Sequence, residues 1–326
     1  MHILKNTSID FLRWRWHAMA VSVLVLLAGL GVILTRGIPL GIEFQGGTAV
    51  IAQFDQAPSI EAVRAAFNQH FPGGGQNVMV QAYGNPEQRQ VMVRVPQVGE
   101  ESGAALGSTA KVAEEALRKG NLGNFTVVGT EIVGPSVGKE LTQKGIYAFL
   151  ASLVGILAYI AFRFQLSFAV GAVIATVHDI FVALAFLAFF QYDLTLNVIA
   201  AILTVTGYST NDTIVIFDRV RENMRSSRRQ PLAAVINTAL NQTLGRTIIT
   251  AGTTLLSSAA LLAFGGEVLS GFAFTMVVGV ITGTYSSLYV AAAVVMLWQG
   301  RKVPATDNPV EAAPARRGKA TRKANA

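Results

Sequence analysis

The sequence predicts an α-helical membrane protein: six transmembrane helices, with one small α+β domain of ferredoxin-like β-α-β-β-α-β order between the first and second. Three observations carry this expectation. Hydrophobic residues make up 52% of the 326 and charged ones only 14%, below the soluble average. Six stretches reach the roughly 20 apolar residues that a helix needs to cross about 30 Å of hydrocarbon. Residues 36–142 break this pattern with short alternating and amphipathic segments.

The first span runs from His17 to Thr35. Its apolar run is longer than a signal peptide's 7–15-residue core, and Thr35-Arg36-Gly37 is no small-x-small cleavage site, so it reads as an uncleaved anchor closing a segment 1–35. Residues 36–142 follow as the folded domain: strand Thr48–Phe54, helix Ser59–His70 capped by Ser59, the Pro72-Gly73-Gly74-Gly75 turn, strands Val78–Tyr83 and Gln90–Val95, helix Ala104–Lys119 ended by Gly120, and strand Phe125–Val133. Residues 143–299 hold the other spans, Lys144–Phe162, Phe168–Phe190, Leu194–Phe217, Thr247–Phe264 and Leu269–Trp298. Within them, 219–245 is basic with Leu232, Val235, Ile236, Ala239 and Leu240 at helical spacing, which predicts an amphipathic segment on the cytoplasmic surface. In the last span Gly279, Gly283 and Ser287 recur every four residues and predict close helix packing.

Charge gives orientation. Segments 1–16, 163–167, 218–246 and 299–326 hold 17 of the 26 Lys and Arg, whereas the short loops Gln191–Asp193 and Gly265–Val268 hold none. The positive-inside rule then places both termini in the cytoplasm and exports the 36–142 domain. The net charge of +7 is explained by topology, so no nucleic-acid partner is predicted. Residues 300–326, rich in Ala, Pro, Lys and Arg, read as a disordered basic tail that fixes topology, with anionic lipid or a ribosome as alternative contacts.

Candidate functional residues are the polar groups inside spans, since an ionisable side chain at the bilayer centre costs at least about 2.5–3.5 kcal/mol. Asp212 lies six residues before Asp218, on a face with Tyr208 and Ser209, beside a stripe of Thr204, Gly207 and Asn211. Arg246 opens the fifth span, followed on one side by Thr250, Thr253, Thr254, Ser257 and Ser258. Two such faces lower each other's burial cost by turning inward, as in an ion pathway. Two readings stand: a protonatable Asp212 working with Arg246, or a static pair that fixes packing. Asp179, beside His178 in the third span, is either a second relay element or a structural hydrogen-bonding group.

Enzyme classes find no support. The chain has no Cys, no Ser-His-Asp order, no HExxH and no metal-ligand cluster, and Gly73–Gly75 lacks the Gly-Lys-Ser/Thr of a phosphate loop. No cofactor is predicted; the energy source would be an ion gradient.

Longer motifs sharpen the reading. Ile9-Asp10-Phe11-Leu12, Gly41-Ile42-Glu43-Phe44-Gln45-Gly46-Gly47-Thr48, Val133-Gly134-Pro135-Ser136-Val137-Gly138, the run Gly207 to Arg219, Arg246-Thr247 with Gly252-Thr253-Thr254, and Gly283-Thr284-Tyr285-Ser286-Ser287 occur in order. Across nearly its whole length the chain resembles the SecF family, the smaller membrane subunits of the SecDF complex of bacterial protein export. Glu43 departs from that family's usual Asp but keeps the carboxylate. The resemblance implies a half of an RND-like, proton-driven machine in the bacterial inner membrane, paired with SecD, working with the SecYEG translocon and YajC on unfolded preproteins. It also implies that Asp212 and Arg246 serve the proton pathway; read from the residues themselves, Asp179, Asn211, Thr250 and Thr254 are secondary positions, either relay elements or structural groups. The alternatives are half of an RND-type exporter of lipids or small molecules, and a purely structural assembly subunit.

Overall fold

The computed structural model describes residues 7–72, 78–84, 86–96, 103–163, 166–226 and 230–300. The expected turn at Gly73–Gly75 and the tail beyond Gly300 lie outside these residues. Helix α1 (Arg15–Arg36) is followed by the short α2 (Ile42–Gln45), then β1 (Gly47–Phe54), α3 (Ile60–His70), β2 (Met79–Tyr83), β3 (Gln90–Val95), α4 (Gly103–Lys119) and β4 (Phe125–Val133). Long helices α5 (Pro135–Arg163), α6 (Leu166–Phe190), α7 (Leu196–Ser226), α8 (Leu232–Phe264) and α9 (Glu267–Tyr285) come next; a π-helical turn, Ser286–Ala291, joins α9 to α10 (Ala292–Gly300).

The strands form one antiparallel sheet in the order β2-β3-β1-β4. Side-chain alternation assigns its two faces. Val50, Ala52, Phe54, Val80, Val91, Val93 and Val95 meet Val63 and Phe67 of α3 and Ala113 and Leu117 of α4 in a buried core. The expected cap forms, Ser59 Oγ accepting from the Ala62 amide at 3.2 Å. The opposite face presents Gln81, Met92, Arg94 and Glu131, placed side by side through the pairs Gln81↔Met92, Ala49↔Arg94 and Ala49↔Glu131. Gly46 and Gly47 start β1 at φ +71° and +113°, a backbone region that L side chains avoid, and a Cβ on Gly47 would strike the Val95 carbonyl.

Among the described helices five are long and apolar enough to cross a membrane: Leu12–Arg36, Val137–Arg163, Leu166–Phe190, Leu232–Phe264 and Val268–Gln299. Helix α7 is not one of them, although its 31 residues pack against α6, α8 and α9. Its apolar run is broken by Thr204, Thr206 and the sequence Tyr208 to Thr213, and it ends in the charged stretch 218–225.

Of the expected amphipathic segment 219–245, the described residues 219–226 end α7 and 232–245 open α8, and Val235, Ile236, Ala239 and Leu240 are buried against Phe11, Leu12, Phe217 and Val220. On the other side of α8, Asn237 and Asn241 hold the N-terminal segment: their side-chain oxygens accept from the Phe11 and Ile9 amides at 2.9 Å each. Both side-chain amides donate to the Ile9 carbonyl, at 3.0 and 2.8 Å. The small-residue spacing in α9 works as expected, since a Cβ on Gly279 would overlap Val205 and one on Gly283 would lie 2.9 Å from Ser209 Cβ.

Candidate ion-pathway site

Two buried carboxylates occupy the helix bundle. Asp179, on α6, is 1% exposed, and its Oδ2 accepts from Ser209 on α7 at 2.6 Å and from Ser286 at 2.7 Å. Its Oδ1 faces His178 Nδ1 at 3.1 Å. The π-helical turn lets consecutive serines serve this network: Ser286 reaches Asp179, while Ser287 meets Thr213 at 2.8 Å and donates to the Ser209 carbonyl at 3.3 Å. Three helices are thereby tied to one carboxylate.

Asp212, on α7, is 6% exposed. Its Oδ1 accepts from Thr247 of α8 at 2.7 Å, while its Oδ2 is buried with no hydrogen-bond partner among the described residues. Arg246, one residue before Thr247, is exposed and forms no ion pair with Asp212. It lines a cavity of about 1060 Å³ with Arg163, Val215, Asp218, Glu222 and Thr243 at the ends of α5, α7 and α8. The cavity lies at the basic helix ends and reaches Arg246, the residue before Thr247.

The other expected residues separate. Thr250 is half-buried and donates to the Arg246 and Thr247 carbonyls at 3.0 and 3.1 Å. Thr254 is half-buried on the same helix, and Ser258 is buried. Thr253 and Ser257 are exposed, with hydroxyls returned to their own backbone at 2.9 and 3.0 Å. The α8 stripe thus does not face α7 along its whole length; self-bonded hydroxyls let part of it turn outward. Asn211 is exposed and has no hydrogen-bond partner among the described residues, and Thr204 and Gly207 share its outward face. Sequence reasoning gave Thr247, Ser286 and Ser287 no site role, although all three stand in the motifs Arg246-Thr247 and Gly283-Thr284-Tyr285-Ser286-Ser287.

Bundle and site define a polytopic membrane protein with a buried, half-partnered carboxylate beside a polar vestibule, and with a folded domain inserted after its first helix. Residues 112–301 match the family described as "Protein export membrane protein SecD/SecF, C-terminal", and residues 31–58, which contain the positive-φ pair Gly46 and Gly47, match the "SecD/SecF GG Motif". The protein translocase subunit SecF of Desulfurispirillum indicum is 43% identical over 90% of this chain and 93% of its own. That of Escherichia coli O157:H7 is 41% identical over 88% and 87%. The chain belongs to the SecD/SecF family of protein-export membrane proteins. The crystal structure of SecDF from Thermus thermophilus, described as a translocon-associated membrane protein, superimposes with a TM-score of 0.80 at 34% identity, covering 91% of this chain. This chain spans only 39% of that longer one.

Proposed function

We propose that this chain is an accessory subunit of the Sec protein translocase, driven by the proton gradient and acting with a SecD partner in the late export of preproteins across the bacterial inner membrane. SecYEG and YajC are its further expected partners. In this reading α7 is a sixth span, both termini are cytoplasmic, and the sheet domain is an exported domain of ferredoxin-like order. The observation that carries the reading is Asp212: buried, bonded through one oxygen to Thr247, with its second oxygen unpartnered among the described residues and the vestibule-lining Arg246 next to its donor. A proton can sit on that free oxygen, and Arg246, held in the vestibule instead of in a static pair, supplies the positive charge that regulates its arrival. Each charge moved across the membrane yields about 2.3 kcal/mol per 100 mV.

Thr204, Gly207 and Asn211 favour a membrane-embedded partner. An outward amide at this depth is costly against hydrocarbon, and Asn211 has no partner among the described residues. A second bundle on this face, supplied by SecD, would cover it. The test is Asp212→Asn in the complex reconstituted with SecD and the translocon in vesicles. Gradient-driven release of a preprotein should be lost while ATP-driven insertion persists; export at the wild-type rate would overturn the proposal.

A further inference from the structure

Besides the packing of α2 on α5, the sheet domain meets the bundle at the short link between α6 and α7. Arg94 and Asp193 form a two-pronged ion pair, both guanidinium nitrogens reaching the two carboxylate oxygens, and these side chains keep only 11% and 13% of their exposure. Gln81 of β2 donates to the same carboxylate at 3.2 Å, and the Arg94 guanidinium donates to the Leu40 carbonyl at 3.3 Å. The backbone adds a second tie: Gly41 N donates to the Leu194 carbonyl at 2.8 Å, and Leu194 N to the Pro39 carbonyl at 2.7 Å. A side chain at Gly41 would crowd Glu43 and the Leu194 carbonyl, which keeps this approach close. Tyr192 stacks on Phe274 of α9 at 4.4 Å between ring centres, seating the link on the bundle.

We propose that Arg94 and Asp193 are the coupling contact of this protein, a pair of positioning residues through which the link between the two Asp-bearing helices sets the position of the sheet domain. This rests on the reading of Asp212 given above. Three features distinguish the contact from simple glue. Asp193 sits on the link Gln191–Thr195, which joins the helix of Asp179 to the helix of Asp212, so a shift of either reaches it directly. Arg94, Gln81 and the Leu40–Gly41 segment converge on that link and not on separate parts of the bundle. A cavity of about 380 Å³ adjoins the pair, lined by Gln81, Met92, Glu131, Asn197 and Ser270, which leaves room for the link to move while the pair holds. A two-pronged guanidinium–carboxylate pair fixes direction as well as distance, so it transmits rotation that an apolar contact would let slip.

The experiment uses the full chain with its SecD partner in proteoliposomes. The sequence has no Cys, so, with a Cys-free SecD partner, spin labels placed through Lys111→Cys in the sheet domain and Val268→Cys at the start of α9 report the distance between domain and bundle without background. Arg94→Gln and Asp193→Asn should each broaden that distance distribution and slow gradient-driven export by about 2- to 30-fold, the range for broken coupling contacts, with proton uptake kept. The exchanged pair, Arg94→Asp with Asp193→Arg, should narrow the distribution and recover export. Single variants with a wild-type distribution, or with wild-type export, would overturn the proposal, as would an exchanged pair no better than the singles. Asp212→Asn, run in parallel, separates the two ideas. If it exports normally, the proton reading fails by itself, while the distance measurements, which do not depend on Asp212, still decide the contact.

Discussion

Adding one methyl group at Gly279 tests how tightly the helix carrying Asp212 is held. A Cβ there would lie 2.5 Å from Val205 Cγ1 and 2.9 Å from Val205 Cβ. Carbon atoms pack best at about 3.5–4.0 Å, so α7 and α9 must part by roughly 1 Å at this point. Overpacking of that kind costs about 1–3 kcal/mol. A Cβ on Gly155, in α5, would meet nothing within 4 Å, so Gly155→Ala should be neutral or gain up to about 1 kcal/mol from helix propensity. The assay is unfolding of the purified chain in mixed micelles with increasing SDS, followed by tryptophan fluorescence. Gly279→Ala should shift the midpoint to lower SDS, and Gly283→Ala should do so less, its nearest atom being Ser209 Cβ at 2.9 Å. A Gly279→Ala protein as resistant as Gly155→Ala would refute the claim that glycine spacing sets the α7–α9 distance.

Other outcomes follow from the same geometry. Ser286→Ala removes one of the two hydroxyls on Asp179 Oδ2; it should cost about 1–3 kcal/mol in the SDS titration, with Ser286→Thr retaining part of the loss. Thr247→Val keeps shape but deletes the 2.7 Å bond to Asp212 and leaves that carboxylate without a donor among the described residues; gradient-driven export should fall and stability drop by about 1–3 kcal/mol, and Thr247→Ser should restore both. Gly207→Leu should leave the isolated chain stable, since nothing lies within 4 Å of this position, yet reduce co-purification with SecD; undiminished co-purification would place the partner elsewhere.

Much of this was legible because a membrane makes sequence literal. Apolar runs locate spans when hydrocarbon is the solvent, and alternation in Gln90–Val95 separates the core valines from Met92 and Arg94. The ends of α7 and α8 were not legible, because helices that leave the membrane continue on charged residues that hydropathy counts as loop. Nor did the helical wheel resolve Ser209. It lies three residues before Asp212, about 60° around the helix, which is far enough for α6 to claim Ser209 and α8 to claim Asp212. Long-range partners such as Arg94 with Asp193, 99 residues apart, leave no local trace.

The two carboxylates show how burial alone fails to define an ion site. Asp179 is the more buried, yet Ser209, Ser286 and His178 occupy both of its oxygens, and all of them come from packed helices. Freeing such a carboxylate would strand the Ser209 hydroxyl, at a cost of about 1–3 kcal/mol, and leave Ser286 only its 3.2 Å bond to the Gly283 carbonyl, so it suits holding α6, α7 and α9 in register. Asp212 has one donor and one free oxygen among the described residues, and its donor stands next to the residue that lines the vestibule. In the proposed reading a proton arriving there breaks no hydrogen bond, and the bond to Thr247 ties its consequence to α8. Asp193 lies on the link between α6 and α7, the two helices that carry these carboxylates.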